Sequence, residues 1–310
     1  MVSNKHFVVY TVITGGFDSI KQPKVIDERF DYVLFTDNVK ERNIGVWSVK
    51  KINYAHNDTR VQSRYPKIYP TKVLSEYKAS LYIDGNIQIT SQYIYDRCVD
   101  LYDNSVEWAS IKHQGRSGLY NEINAIIGLG WVHDYEVINW YHFLRTEGFP
   151  DNLGMFENNI IFRSHCIHVE KVSELWGSVC VKEQRVKRDQ FSLMWAIWKA
   201  EDLSVDYILP ENENAWNNSG HFMCENHNPH KRILDKTLWE KLRARYVRMF
   251  YASDNWEIFY TQWFDKLLKY PFPCLGMHLW TIYILIRYDL GFLLKQLWNK
   301  YKLCKNKKDI

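Results

Sequence analysis

The sequence lacks most of the features that betray a specialised protein class. Its six cysteines, Cys98, Cys166, Cys180, Cys224, Cys274 and Cys304, are scattered over 310 residues and form no CxxC pair. The disulfide framework of a small secreted domain is therefore excluded, and reduced thiols in a cytoplasmic-type compartment are expected. The opening Met-Val-Ser-Asn-Lys has neither the apolar core nor the small-residue cleavage site of a signal peptide. The longest uncharged stretch, Tyr270 to Ile286, is interrupted by Pro271, Pro273 and Gly276 and contains His278. It falls short of the ~20 apolar residues that a spanning helix needs. There is no internal repeat and no low-complexity linker, so collagen-like and disordered classes drop out. The net charge is only +4.

What is present is a full core and an excess of rings. Hydrophobic residues make up 46% of the chain and charged residues 25%, as in an ordinary globular domain. The 13 Trp, 21 Tyr and 15 Phe exceed what such a domain requires. The small net charge hides an asymmetry. Residues 231–310 hold 16 Lys and Arg against 7 Asp and Glu, whereas residues 1–230 hold 24 against 29. The expected organisation is an acidic body, 1–230, followed by a basic, aromatic-rich helical region, 231–310. A basic segment favours an anionic partner, nucleic acid or lipid headgroups.

Hydrophobic patterning predicts strands at Phe7–Ile13, Tyr32–Thr36, Val46–Ile52, Ala79–Ile83, Glu107–Lys112, Asn159–Arg163 and Val205–Leu209. Helical segments are predicted at Thr59–Leu74 (broken near Pro66 and Pro70), Tyr93–Leu101, Tyr120–Arg145 (weak at Gly128 and Gly130) and Arg188–Lys199. Strands alternating with helices imply an α/β layered domain whose sheet is mostly parallel. Such sheets bind ligands beyond the carboxyl ends of their strands. In the basic region, helices are expected at Leu238–Tyr246, Asn255–Leu268 and about Leu279–Tyr301. The last carries an apolar stripe at steps of three and four.

Five constellations suit chemistry, and each has a plainer alternative. Asp84-Gly85-Asn86 follows a hydrophobic strand, and oxygen ligands at i and i+2 can grip a hard cation that also holds a diphosphate; the alternative is a tight turn. Arg60, Arg64 and Lys67 share a helical face that can neutralise phosphates, or merely be solvated. Asp189 and Gln190 open an apolar helix, where an acid can serve as a base or as a helix cap. His221, His227, His230 and Cys224 can complete a metal site, although their spacing fits no zinc finger; solvated loop histidines are the alternative. His113-Gln114-Gly115-Arg116, with Tyr120-Asn121-Glu122, can hold a sugar or phosphate, or simply start a helix.

Together and in this order, these stretches resemble the glycosyltransferase-like family typified by the plant TOD and MUCI proteins. The matching segments are VVYTVITGGFDSI (8–20), DYVLFTDN (31–38), DTRVQSRYPKIYP (58–70), SLYIDGNI (80–87), HQGRSGLYNE (113–122), EGFPDNLGMFENNIIFRSH (147–165) and RDQFS (188–192). The resemblance implies a GT-A fold, meaning a Rossmann-like, mostly parallel central sheet flanked by helices, here with a C-terminal helical extension. It also implies transfer of a sugar from a nucleotide-sugar donor, as in a hexosyltransferase. Asp84-Gly85-Asn86 stands in place of the usual Asp-X-Asp metal motif, with a neutral and weaker ligand at its last position. A more distant likeness to the glycogenin and galactosyltransferase group implies donor contact by Arg64, metal ligation by His221, and a reaction centre lined by Asp189 and Gln190.

The resulting expectation is specific. Thr11, Thr14, Gly15 and Asp37 bracket the nucleoside; Arg60, Arg64 and Lys67 face the diphosphate. Asp84, Asn86 and His221 hold Mg²⁺ or Mn²⁺, which stabilises the leaving diphosphate as a Lewis acid. Asp189 deprotonates the acceptor in an inverting enzyme, or lines the sugar with Gln190 in a retaining one; Glu157 is a second candidate near the acceptor. The acceptor is a saccharide or lipid-linked saccharide of cell-surface polysaccharide or lipooligosaccharide synthesis. The tail either rests on an anionic membrane surface, giving a cytoplasmic protein peripheral to the inner face of the membrane, or is an ordinary helical cap on the sheet with solvated lysines; no nucleic acid partner is expected. The competing reading is an inactive nucleotide- or carbohydrate-binding module, favoured by Asn86.

Overall fold

The chain divides into two compact units, Met1–Leu234 and Asp235–Ile310. The computed structural model describes residues 6–225 except 39, 130–139, 142, 145, 151–152 and 218–219, together with residue 279. The three helices expected after residue 231, and with them the membrane-facing tail, lie outside the described residues, as do His227 and His230.

An eight-stranded sheet forms the centre of the first unit, in the order β3-β4-β2-β1-β5-β8-β7-β9. Its strands are β1 (Phe7–Ile13), β2 (Phe30–Thr36), β3 (Asn43–Ile44), β4 (Trp47–Lys51), β5 (Ala79–Ile83), β7 (Trp108–Lys112), β8 (Phe156–Ser164) and β9 (Val205–Tyr207). β4, β2, β1 and β5 are mutually parallel, and β7 and β9 share their direction; β8 and the short β3 run the other way. This is the Rossmann-like α/β sheet of the GT-A expectation. A separate two-stranded ladder joins β6 (Ile87–Ile89) to β10 (Phe222–Cys224).

The sheet is buried on both faces, which is why β1 and β5 read as unbroken apolar runs. One face sets Val9, Leu81, Ala109 and Phe162 against Ile94, Tyr95, Cys98 and Leu101 of α3 (Tyr93–Asp103). The other carries Tyr10, Tyr82, Trp108 and Arg163. Here α1 (Thr59–Ile68) packs on β1 and on α5 (Ile167–Gly177), and α5 packs on α6 (Asp189–Ala200). Two further helices, α2 (Pro70–Val73) and α4 (Leu119–Leu129), complete the set used below.

Pro66 does not break α1 as expected; it sits inside the helix, which ends at Ile68. The carbonyls left open near that end are met from the sheet. Tyr10 Oη donates to the carbonyls of Pro66 and Lys67, at 3.3 and 3.2 Å, and Arg163 Nη1 donates to Lys67 O at 2.7 Å. Arg163 is wholly buried, and its guanidinium lies over the Trp108 ring. Burial pushes the Tyr10 phenol up to about 12, so it stays a donor. These contacts fix the end of α1 and hence the position of Lys67. Tyr10→Phe leaves buried carbonyls without their phenol donor and should cost about 1–2 kcal/mol in urea unfolding, with α1 still formed by circular dichroism.

Candidate active site

Parallel strands that end together deliver their following residues to one sheet edge. β1 brings Thr14 and Gly15 there, β2 brings Asp37, and β5 brings Asp84-Gly85-Asn86. β8 runs the other way, so it is its beginning, around Glu157, that arrives at the same edge. The Gly15 N–H points at both Asp37 carboxylate oxygens, 3.0 Å from each. Thr14 Oγ1 donates to the carbonyl of Thr59, the first residue of α1, at 2.9 Å.

At the centre of this edge lies a group of four charges, Lys67 and Asp189 buried and Arg64 and Asp84 half-buried. Lys67 Nζ is 2.8 Å from Asp189 Oδ2 and 3.3 Å from Asp84 Oδ1, and Arg64 Nη2 is 3.1 Å from Asp189 Oδ1. Tyr82 Oη donates to Asp84 Oδ1 at 2.6 Å, and Lys67 Nζ stands over the Tyr82 ring. The Lys67 and Asp189 side chains are only 3% and 7% exposed. Arg64 and Lys67 are three residues apart on α1 and therefore neighbours on its surface. Asp189 is the first residue of α6, where the helix end favours an anion. Burial would raise the Asp189 carboxyl, but the Arg64 and Lys67 charges outweigh it and hold the group well below the usual carboxylate range. Burial, with Asp84 next in importance, drives the Tyr82 phenol far above its ordinary value.

Not every expected residue joins this group. Arg60 does not join the group: it is exposed and turned back to Asp58, the residue that caps α1. Thr11 is buried inside β1, three residues before Thr14. His221 is also misplaced as a metal ligand. The β6/β10 ladder pairs Phe222 with Ile89 and Cys224 with Ile87, which sets Glu225 beside Asn86 and His221 beside Thr90. Four residues of strand, roughly 13 Å, separate His221 from Asn86. Its ring stacks on Tyr93 at 4.3 Å, and its Nδ1 contacts Ser91 Oγ at 2.8 Å.

Asn86 itself fits a ligand role. It is buried; its Nδ2 donates to Glu225 O at 2.6 Å, while its Oδ1 has no hydrogen-bond partner among the described residues. Amide geometry thus leaves an oxygen lone pair unused next to Asp84. Gly85 is required for a different reason than ligand approach. A Cβ there would come within 2.8 Å of Ile13 Cγ1 and 3.2 Å of Asp18 Oδ2, so the triplet can lie against the end of β1 only with glycine at its centre.

A second group flanks the first. Glu122, buried in the first turn of α4, receives Arg116 Nε and Arg188 Nη2 at 3.0 Å each, with His113 Nε2 at 3.8 Å. Gln190 reaches from α6 to Phe156 O at 3.4 Å and also accepts from Arg188. Next along β8, Glu157 accepts from Asn159 Nδ2 at 3.0 Å. Burial, and secondarily the Glu122 charge, raise Glu157 to about 7 in spite of that bond. Burial and then the charges of Glu157 and Asp84 push the Cys224 thiol up to about 12; the Asp84 N–H donates to Asn159 O at 2.8 Å, two residues along β8 from Glu157. The role of Tyr82 was missed from sequence, although its place two residues before Asp84 put both side chains on one side of the strand.

Residues 1–221 match the TOD1/MUCI70, glycosyltransferase-like domain, and the chain belongs to that family. No curated protein matches it. Similar solved structures include the apo bifunctional glycosyltransferase WbbM (12% identity, TM-score 0.42, 79% of this chain and 45% of that one). Another is the galactosyltransferase LgtC with donor and acceptor sugar analogues (11%, 0.38, 64% and 72%). A third is mouse xyloside xylosyltransferase 1 in its apo form (7%, 0.36, 80% and 93%). The match to WbbM spans less than half of that chain.

Removing Lys67 leaves the buried Asp189 carboxylate with Arg64 alone and takes the ammonium from half-buried Asp84. Lys67→Met should lose about 3–5 kcal/mol in denaturant unfolding. Asp189 predicts an acid limb. Its folded pKa is lowered, so its contribution is fully present above the unfolded value of about 3.9 and is lost as pH falls through the folded value. Asp189→Asn should be less stable at pH 7 and should show a flatter stability profile below about pH 4.

Proposed function

We propose that the protein is a GT-A glycosyltransferase that moves a sugar from a nucleotide-sugar to a hydroxyl acceptor. The observation that carries this is the Asp84-Gly85-Asn86 triplet at the carboxyl end of β5, with the Asn86 Oδ1 lone pair unused beside Asp84. Asp84 and Asn86 would hold Mg²⁺ or Mn²⁺. Such an ion neutralises charge on the departing diphosphate without proton transfer. Thr14, Gly15 and Asp37 border the neighbouring edge, where the nucleoside would lie.

The roles of the charged residues differ from the first expectation. Arg64 and Lys67 are matched by Asp189 and Asp84, so they order the edge and leave no net positive charge for a diphosphate. This balance supports a requirement for the metal. Asp189, bound by two cations and ionised far below neutral pH, is a poor base. Glu157 is better placed for that work. It is poised near neutrality, lies two residues from the Asn159 carbonyl that receives the Asp84 N–H, and follows Phe156, whose carbonyl Gln190 contacts. In an inverting reaction Glu157 accepts the acceptor's proton; in a retaining one it and Gln190 line the sugar. Support for a lipid-linked acceptor, for cell-surface glycan synthesis and for residence at an anionic membrane comes from the basic tail of the sequence. No helix among the described residues is long and apolar enough to cross a membrane.

A nucleotide-sugar panel read by thermal shift, with and without Mn²⁺, tests the reading. One donor should stabilise the protein only with metal, by about 2.7 kcal/mol at 100 times Kd, and Asp84→Ala should lose both this shift and turnover. Tight metal-dependent binding without transfer or hydrolysis in any acceptor screen would instead establish an inactive binding module. For a base at Glu157, kcat/KM should rise with pH through about 7. Glu157→Gln should lower kcat by about 10²–10⁴-fold and abolish that limb while sparing donor affinity; an unchanged profile would refute the assignment.

A further inference from the structure

At the opposite edge of the sheet three different metal-ligating side chains converge from two segments of the chain. Glu107 immediately precedes β7, Cys166 occupies the cap position of α5, and His168 lies in the first turn of that helix. One ligand atom from each, all half-buried, falls within 4.8 Å of the others. Glu107 Oε1 is 2.8 Å from His168 Nδ1 and 3.4 Å from Cys166 Sγ. A tetrahedral Zn²⁺ with bonds of about 2.0–2.3 Å separates its ligands by roughly 3.3–3.7 Å. Small side-chain shifts therefore suffice to admit an ion.

The geometry points to a Zn²⁺ site built from Glu107, Cys166 and His168, with solvent at the fourth position. Thiolate and imidazole select zinc over the hard cations that suit Asp84 and Asn86. The thiolate and carboxylate charges together match a dication. Glu107 is already oriented from behind: its Oε2 accepts the backbone N–H of Ser204 at 3.0 Å, the kind of outer contact that holds a metal-binding carboxylate in place. Binding releases the Cys166 thiol proton to solvent and requires His168 as its Nε2–H tautomer, so that Sγ and Nδ1 each supply a lone pair. The ion would clamp the start of β7 to the start of α5 and, through Glu107, to the loop before β9. The site lies at the sheet edge opposite Asp84, apart from the residues proposed for sugar transfer.

Co²⁺ serves as the probe because a cobalt–thiolate bond has a charge-transfer absorption that oxygen ligation lacks. The chelator-treated full chain, titrated with Co²⁺, should develop this band to one equivalent and lose it on adding Zn²⁺. Asp84→Ala and Cys224→Ser should keep the band; Cys166→Ser should lose it, and His168→Gln should weaken it. Zn²⁺ should raise the Tm of the wild type and of Asp84→Ala, but not that of Cys166→Ser. The proposal falls if the wild type shows no thiolate band, if Cys166→Ser retains it, or if Asp84→Ala or Cys224→Ser abolishes it. Circular dichroism of Cys166→Ser and His168→Gln separates loss of binding from loss of fold.

Discussion

The buried ammonium of Lys67 is the constraint around which the edge is arranged. A charge removed this far from water is tolerable only if opposite charges and hydrogen bonds replace its hydration. Asp189 and Asp84 supply them from two unrelated parts of the chain, one from the start of α6 and the other from the end of β5. The lysine is itself fixed from behind, where Arg163 and Tyr10 hold its backbone carbonyl. Sheet, α1 and α6 thus meet at one side chain, and each would be displaced by a change in the others.

That arrangement has a chemical consequence. Two cations and two anions are compensated before any ligand arrives. Under the proposed function, a diphosphate entering beside them would gain little from Lys67 or Arg64 and would need a metal to cancel its charge, which Asp84 and Asn86 would hold. A neutral amide in place of a second aspartate follows the same logic. A further carboxylate would add negative charge to an edge that Lys67 and Arg64 already balance without surplus.

Much of the fold was legible in the sequence because the responsible patterns are local. β1 and β5 are continuous apolar, β-branched and aromatic runs bounded by turn residues, and their ends were readable to the residue. Helix α5 and strands β3, β6 and β10 were not foreseen; the strands are only two or three residues long and carry too little pattern. Arg64, Lys67, Asp84, Asn86 and Asp189 stand out in the sequence by residue type and spacing, but the ion pairs joining Arg64 and Lys67 to Asp189 and Asp84 do not, because they depend on where the fold brings the start of α6 and the end of β5 to α1. His221 failed for a similar reason. Its distance from Asn86 is set by the register of β10 on β6, and a register cannot be read from a three-residue strand.

The reversed strand β8 decides where the remaining chemistry lies. Had it run parallel to β5, its first residues would have gone to the amino edge and its last to the carboxyl edge. Because it is antiparallel, it carries Glu157 to the edge of Asp84 and carries Cys166 and His168 away from it, to Glu107. The bulge in its pairing with β7, between Ser110 and Ile111, frees the Glu157–Asn159 stretch from regular alternation just where Asn159 O receives the Asp84 N–H. A single change of strand direction therefore separates a hard, oxygen-lined edge suited to diphosphate chemistry from a softer sulfur- and nitrogen-bearing cluster on the far side of the sheet.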